Sequence, residues 1–341
     1  MTLMQTKMDS RIAAWLLVMI LLVVTMIVLG GATRLTNSGL SITEWKPITG
    51  AIPPLSRADW MAEFEKYKQI PEFEAEHPDM TLREFEFIYF MEWAHRQLGR
   101  VIGLAYALPF LWWGSRGRLP SGQFFRFFLI LLLIGVQGAI GWWMVASGLA
   151  HGRVDVSQYR LATHLGLAFI ILALLYWTWR DQREGWTLCP DRPLLKKHSF
   201  ILFWLVFLQI ISGAFVAGTH SGKSYNTWPF MDGGFIPNGY GVMSPIWKNA
   251  FENTAAIQFN HRVIAYAILL LSAILLVRAM ISGSLRNPAM LLVILTLWQT
   301  ALGIWTLLSG APLWQSLAHQ FSAILVFLAA LSMWRAARRG Y

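Results

Sequence analysis

Four histidines fall inside long apolar stretches of this 341-residue chain: His95, His164, His261 and His319. Ionisable side chains in such stretches are rare, and where they occur they usually serve function. His95-Arg96 is matched by His261-Arg262, and His164 by His319, so the four make two pairs. A carboxylate, Glu92, stands three residues before His95, on the same helical face. The position three residues before His261 is Gln258. One pair therefore has a titratable carboxyl beside it, and the other a neutral amide.

Two imidazoles per site restrict the chemistry. Zinc takes three or four nitrogen, sulfur or oxygen ligands, and copper favours an added thiolate or thioether. Two imidazoles from neighbouring helices suit the axial positions of a haem iron inside a helical bundle. Without a C-x-x-C-H sequence, such a haem is held non-covalently. Gly99 and Ala265, one turn after His95 and His261, leave room for a flat macrocycle. Arg96 and Arg262 have two roles open to them, pairing with haem propionates or snorkelling to the membrane interface. Glu92 likewise has two, accepting a proton or stabilising a developing cation, or pairing with Arg96 one turn on. The asymmetry suggests chemistry in the first half and a permanent redox cofactor in the second.

The elements that must carry these residues are membrane helices. Hydrophobic residues make up 56% of the chain and charged residues 13%, about half the ~25% charge of soluble domains. With 18 Trp, 21 Phe and 14 Met, a soluble enzyme, a disordered chain and a secreted disulfide scaffold are excluded. The single Cys189 provides neither a disulfide framework nor a cysteine zinc site. Spanning ~30 Å of hydrocarbon takes about 20 apolar residues. Such runs occur at 12–33, 127–150, 161–179, 199–219, 255–277, 288–308 and 313–334. An eighth, 87–113, is less obvious because Glu92, His95, Arg96 and Arg100 interrupt it. The first run is too long for a signal peptide and lacks an A-x-A site, so it reads as a retained span.

Lys and Arg cluster in the N-terminal tail, in 114–126, 180–198 and 278–287, and after Trp334. The positive-inside tendency places these segments, and both termini, in the cytoplasm. That disposition accounts for the net charge of +10 without nucleic acid as a partner; the partner implied is lipid. Cys189 then sits in a reducing compartment as an inert thiol. The acidic segment 35–86 faces outward, and all four histidines lie toward the outer side.

The halves also repeat. Gln137, Ala139, Gly141, Trp143, Ser147 and Gly148 match Gln299, Ala301, Gly303, Trp305, Ser309 and Gly310 at an offset of 162. Gly30, Ser38, Gly39, Ser41 and Trp45 match Gly213, Ser221, Gly222, Ser224 and Trp228 at an offset of 183. The expected fold is an all-α membrane protein of eight transmembrane helices, arranged as two four-helix bundles. An even helix count per repeat gives the copies one orientation about an axis along the membrane normal. The division falls at 1–185, with the substrate and catalytic site, and 186–341, with the cofactor site.

These motifs resemble the haem A synthase family, membrane enzymes that make haem A for terminal oxidases. The resemblance covers nearly the whole chain. It rests on Gly30-Gly-Ala-Thr-Arg-Leu-Thr, Trp45-Lys-Pro-Ile-Thr-Gly, Glu92-Trp-Ala-His95-Arg96-Gln-Leu-Gly-Arg100, Gln137-Gly-Ala-Ile-Gly-Trp, Gly213-Ala-Phe-Val-Ala-Gly, Asn226-Thr-Trp-Pro-Phe-Met-Asp232-Gly, and the His261-Arg262 and His319-Gln320 pairs. It implies oxidation of the C8 methyl of haem O to a formyl group, by two hydroxylations and loss of water. It further implies a haem b cofactor on His261 and His319, substrate haem on His95 and His164, and Glu92 as the catalytic carboxylate. Some members carry a cysteine pair in the first outer loop. Residues 35–86 hold none, so the chain looks like the cysteine-free subgroup, without a thiol step there.

An electron acceptor is required by two two-electron oxidations, and direct handover from haem O synthase is an expectation from the resemblance. A di-haem electron conduit, the main alternative, needs haems at both depths of the bilayer. A haem transporter has no use for a permanent second haem. Haem O synthase itself needs D-x-x-x-D motifs, which the sequence lacks. The short N-terminal tail, with Lys7 and Arg11 as its bases, favours a bacterial plasma membrane over a mitochondrial presequence.

Overall fold

The structure is a computed structural model that describes residues 10–120, 122–149, 152–184 and 192–338. Cys189 and the expected boundary at 185/186 lie outside the described residues. Among those described, the chain is all-helical, with only an isolated bridge between Met231 and Gly234. Eight helices are long: α1 (Ser10–Leu35), α4 (Leu82–Ser115), α5 (Phe124–Gly148), α6 (Gln158–Glu184), α7 (Pro193–Gly218), α9 (Thr254–Ile281), α10 (Arg286–Leu308) and α11 (Leu313–Arg338). Three are short: α2 (Arg57–Tyr67), α3 (Pro71–Glu76) and α8 (Asn249–Glu252).

Seven of the long helices are long and apolar enough to cross a membrane. In hydrocarbon a helix satisfies every backbone polar group within itself, which is why charge-free runs fold this way. α4 is the long helix outside that set; Glu92, Arg96 and Arg100 interrupt its apolar sequence. It begins earlier than the apolar pattern predicts because Thr81 and Glu84 form a capping box. α2 starts on a second capping box, Ser56 with Asp59. These two S/T-x-x-D/E signals turn the acidic segment 35–86 from a plain connector into a folded cap. Phe64, Tyr67, Phe85 and Tyr89 form its core with Leu40 and Val156.

The chain divides into two compact units, Met1–Trp179 and Arg180–Tyr341. In the first, α4 packs on α1 and α5. Trp15 stacks with Phe127 at 6.0 Å and meets Tyr106 at 4.8 Å between ring centroids. Both polar handles are satisfied: Trp15 Nε1 donates to Ala105 O at 2.8 Å and Tyr106 Oη to Phe127 O at 3.0 Å. In the second unit, α7 packs on α9 and α11, and α10 packs on the same two helices. The four close into a ring with α9 and α11 on one diagonal. His261 and His319 thus come from diagonally opposed helices.

Candidate functional site: four histidine seats

Each histidine ring lies against a glycine of the long helix preceding its own. A methyl group on Gly30 (α1) would lie 2.9 Å from His95 Cε1, and one on Gly141 (α5) 3.0 Å from His164 Cε1. In the second unit the corresponding distances are 3.3 Å from Gly213 (α7) to His261 and 2.7 Å from Gly303 (α10) to His319. Contacts this short leave no room for a side chain, so glycine is required by the approach of ring to backbone. At Gly99 the neighbour is the Met26 methyl, 3.6 Å from where a Cβ would stand.

Three of the rings also meet a glutamine amide one turn before the glycine. Gln137 Nε2 lies 3.2 Å from His164 Nδ1 and donates to His164 O at 3.0 Å. Gln299 Nε2 lies 3.3 Å from both ring nitrogens of His319 and donates to His319 O at 3.1 Å. Gln209 Nε2 donates to His261 Nε2 at 3.1 Å and to His261 O at 3.0 Å. At the fourth seat the position four residues before Gly30 is Met26, and a thioether cannot donate. His95 Nδ1 is buried with no hydrogen-bond partner among the described residues.

Glu92 is buried, 3% exposed. Its Oε1 accepts from Arg96 Nη2 at 2.6 Å and Nε at 3.1 Å. Its Oε2 accepts from Ser41 Oγ at 2.7 Å and Ile42 N at 2.8 Å. Arg96 continues to the backbone, donating to Ile42 O at 2.8 Å and Glu44 O at 3.1 Å. The second unit repeats the staple with neutral parts. Gln258 Nε2 donates to Ser221 O at 2.7 Å, its Oε1 accepts from Arg262 Nη2 at 3.0 Å, and Arg262 reaches Tyr225 O at 3.1 Å. Both options weighed for Glu92 bear on one group, because the pair with Arg96 is formed. The two arginines differ in what is left over. Arg96 uses each of its guanidinium nitrogens, whereas Arg262 Nε and Nη1 are buried without a partner among the described residues.

The cap over the first unit has its own electrostatics. Glu44 is held down to about 2 by hydrogen bonds from Lys46 and Lys66. Glu72 is pushed up to about 8, chiefly by burial, although Tyr67 Oη donates to it at 3.2 Å.

The His95 and His164 ring centroids are 6.4 Å apart. A metal about 2 Å from each facing nitrogen would separate two imidazole centroids by roughly 6 Å. Among the described residues no group of three or more His, Cys, Asp or Glu could hold a bare metal ion. A porphyrin iron needs only two protein ligands, since the macrocycle supplies the other four. The paired donors, the glycine-backed seats and the unpartnered Arg262 nitrogens all fit such a group.

The COX15-CtaA family model, described as cytochrome oxidase assembly protein, matches residues 13–331. The chain belongs to this family. Its curated relatives include a protein named "Heme A synthase" from Maricaulis maris, 50% identical over 338 residues and covering 97% of each chain. Others of that name come from Azorhizobium caulinodans, 49% identical over 94% of this chain and 92% of the relative, and Dinoroseobacter shibae, 45% identical over 94% and 86%. The COX15-CtaA match contains all four histidines and Glu92. Within this COX15-CtaA chain, sequence reading placed Gln137, Gln299 and the four glycines in the repeat but gave them no task. It passed over Gln209, Ser212 and Met26. The signal was the recurring spacing of a glutamine four residues before a seat glycine.

Proposed function

We propose that the chain is a haem A synthase, an oxidoreductase that converts the methyl group of haem O to the formyl group of haem A. The observation that carries this is the pair of glycine-backed histidine sites, one of which alone has a buried carboxylate beside it. α4 is the eighth crossing, and two same-oriented four-helix halves, 1–185 and 186–341, hold the sites toward the outer face of a bacterial plasma membrane with both termini inside. His261 and His319 would hold haem b as the resident cofactor, and Arg262, with two unpartnered nitrogens, would be free to pair with a propionate. When bound, haem b supplies one-electron redox chemistry between the substrate site and an external acceptor.

The remaining work falls to the chain's own residues. His95 and His164 hold the substrate, haem O, by its iron, delivered from haem O synthase. Arg96 holds Glu92 in place and stands near the substrate propionates. Glu92 is the acid–base group at the substrate methyl, and all its acceptor positions are occupied at rest. A proton can reach it only by displacing a donor. Ser41 is the donor that can leave at least cost, because its Oγ already lies 3.1 Å from Ser38 O and 3.3 Å from Ile88 O.

Extraction and chromatography of the haems from purified protein, with His261→Ala and His95→Ala variants, tests the reading. Haem b lost with His261, and haem O or haem A lost with His95, supports it. Two equivalents of haem b and nothing else would instead indicate an electron conduit.

A further inference from the structure

The four histidine seats are alike in backbone and different in what fixes the ring. At His261 two contacts decide the tautomer. The Gln209 amide nitrogen can only donate, so ring Nε2 accepts and carries the lone pair. The proton is then on Nδ1, which donates to Ser212 Oγ at 3.2 Å. That is the form in which an imidazole, once the Gln209 amide gives way, offers Nε2 to a metal while its other nitrogen stays anchored. His164 and His319 each have a glutamine within reach of both ring nitrogens, so no single tautomer is imposed. The residues matching Ser212 at the other three seats are Leu29, Ile140 and Leu302, none of which can hydrogen-bond through its side chain. His95 has neither the serine nor the glutamine, and its Nδ1 is orphaned.

We propose that this gradient of ring restraint separates a retained haem from an exchangeable one. Ser212 is the positioning residue that makes His261 a fixed ligand, and Leu29, which stands in its place and accepts no hydrogen bond, leaves His95 free to let go. The proposal rests on the haem assignment above and adds which ligand releases. A metal-bound imidazole whose second nitrogen is hydrogen-bonded is oriented and more basic. A ring with a bare second nitrogen has neither advantage, so the substrate half opens at His95. This suits an enzyme that must pass on its product haem and keep its cofactor.

The test uses the purified full-length protein, with apomyoglobin as haem acceptor and chromatography to follow each haem separately. In the unaltered protein, haem O or haem A leaves before haem b. Ser212→Ala speeds haem b release by about tenfold or more and shifts its low-spin electron paramagnetic resonance signal. Ser212→Thr keeps the hydroxyl and restores both. Leu29→Ser, which supplies His95 Nδ1 with the acceptor that Ser212 gives His261, slows release of the substrate-site haem and leaves haem b unchanged. Unaltered release and spectrum in Ser212→Ala, or unaltered substrate-haem release in Leu29→Ser, overturns the gradient. Full retention of haem b in His261→Ala overturns the underlying ligand assignment instead, and the two failures are told apart by that variant.

Discussion

Glu92 Oε1 and Arg96 Nη2 are 2.6 Å apart, one helical turn from each other in α4. The pair is largely buried, and its carboxylate also ties down Ser41 and Ile42. The repeat-equivalent Gln258 and Arg262 do the same stapling with a neutral amide. The second unit makes its staple with glutamine, so the fold does not require a carboxylate at this position of the repeat.

Glu92→Gln is therefore expected to keep the bound haems and to lose formation of haem A. The exchange removes charge-assisted hydrogen bonds worth about 1.5–3 kcal/mol each in the general case, but the amide can remake part of the staple. Haem content and product formation measured on the same sample check it. Turnover retained in the variant sinks the catalytic role.

Alanine at the seat glycines should damage haem binding in the order of crowding. Gly303→Ala places a methyl 2.7 Å from His319 Cε1 and is expected to strip most of the second-unit haem. Gly213→Ala, at 3.3 Å from His261, should lower occupancy less. Gly138→Ala has nothing within 4 Å and serves as the control, with pigment unchanged. Absorbance per protein across the three variants reads the order directly.

Arg262→Gln should weaken retention of the second-unit haem. It removes the two unpartnered nitrogens that fit a carboxylate, each of which is costly to leave buried and bare. Equal haem b content and release rate in variant and parent would assign Arg262 to the Gln258 and Tyr225 contacts alone.

Glu72 should make the cap over the first unit pH-dependent. Its ordinary value near 4.5 is raised to about 8 by burial, with the negative charges of Asp155 and Glu92 adding to the rise and Arg34 and the Tyr67 hydroxyl opposing it. A raised folded value means the stabilising protonated form is fully present below about 4.5 and is lost as pH rises through about 8. Amide exchange in α2 and α3 is expected to quicken between those limits, and Glu72→Gln should flatten the dependence. A slope of the opposite sign would show Glu72 ionised at rest.

Much of this could be read from the one-dimensional pattern. Apolar runs bounded by Lys and Arg specify helices because lipid leaves a backbone no other way to pair its polar groups. The four histidines, Glu92 and the repeat are visible because polar residues are so few in those runs. The sequence shows 35–86 as acidic and outward-facing, and the capping boxes at Ser56 and Thr81 that fold it into helices are local signals within it. Only the tertiary structure decided which residues finish the sites. Gly30 and His95 are 65 positions apart, and Gln209 and His261 52 apart. Nothing in local propensity links such residues; helix packing brings ring to glycine and amide to nitrogen. The same packing decides that Arg96 is fully engaged while Arg262 keeps two nitrogens bare. Composition and spacing mark the candidate ligands, and side-chain contacts across helices decide how each histidine ring is held.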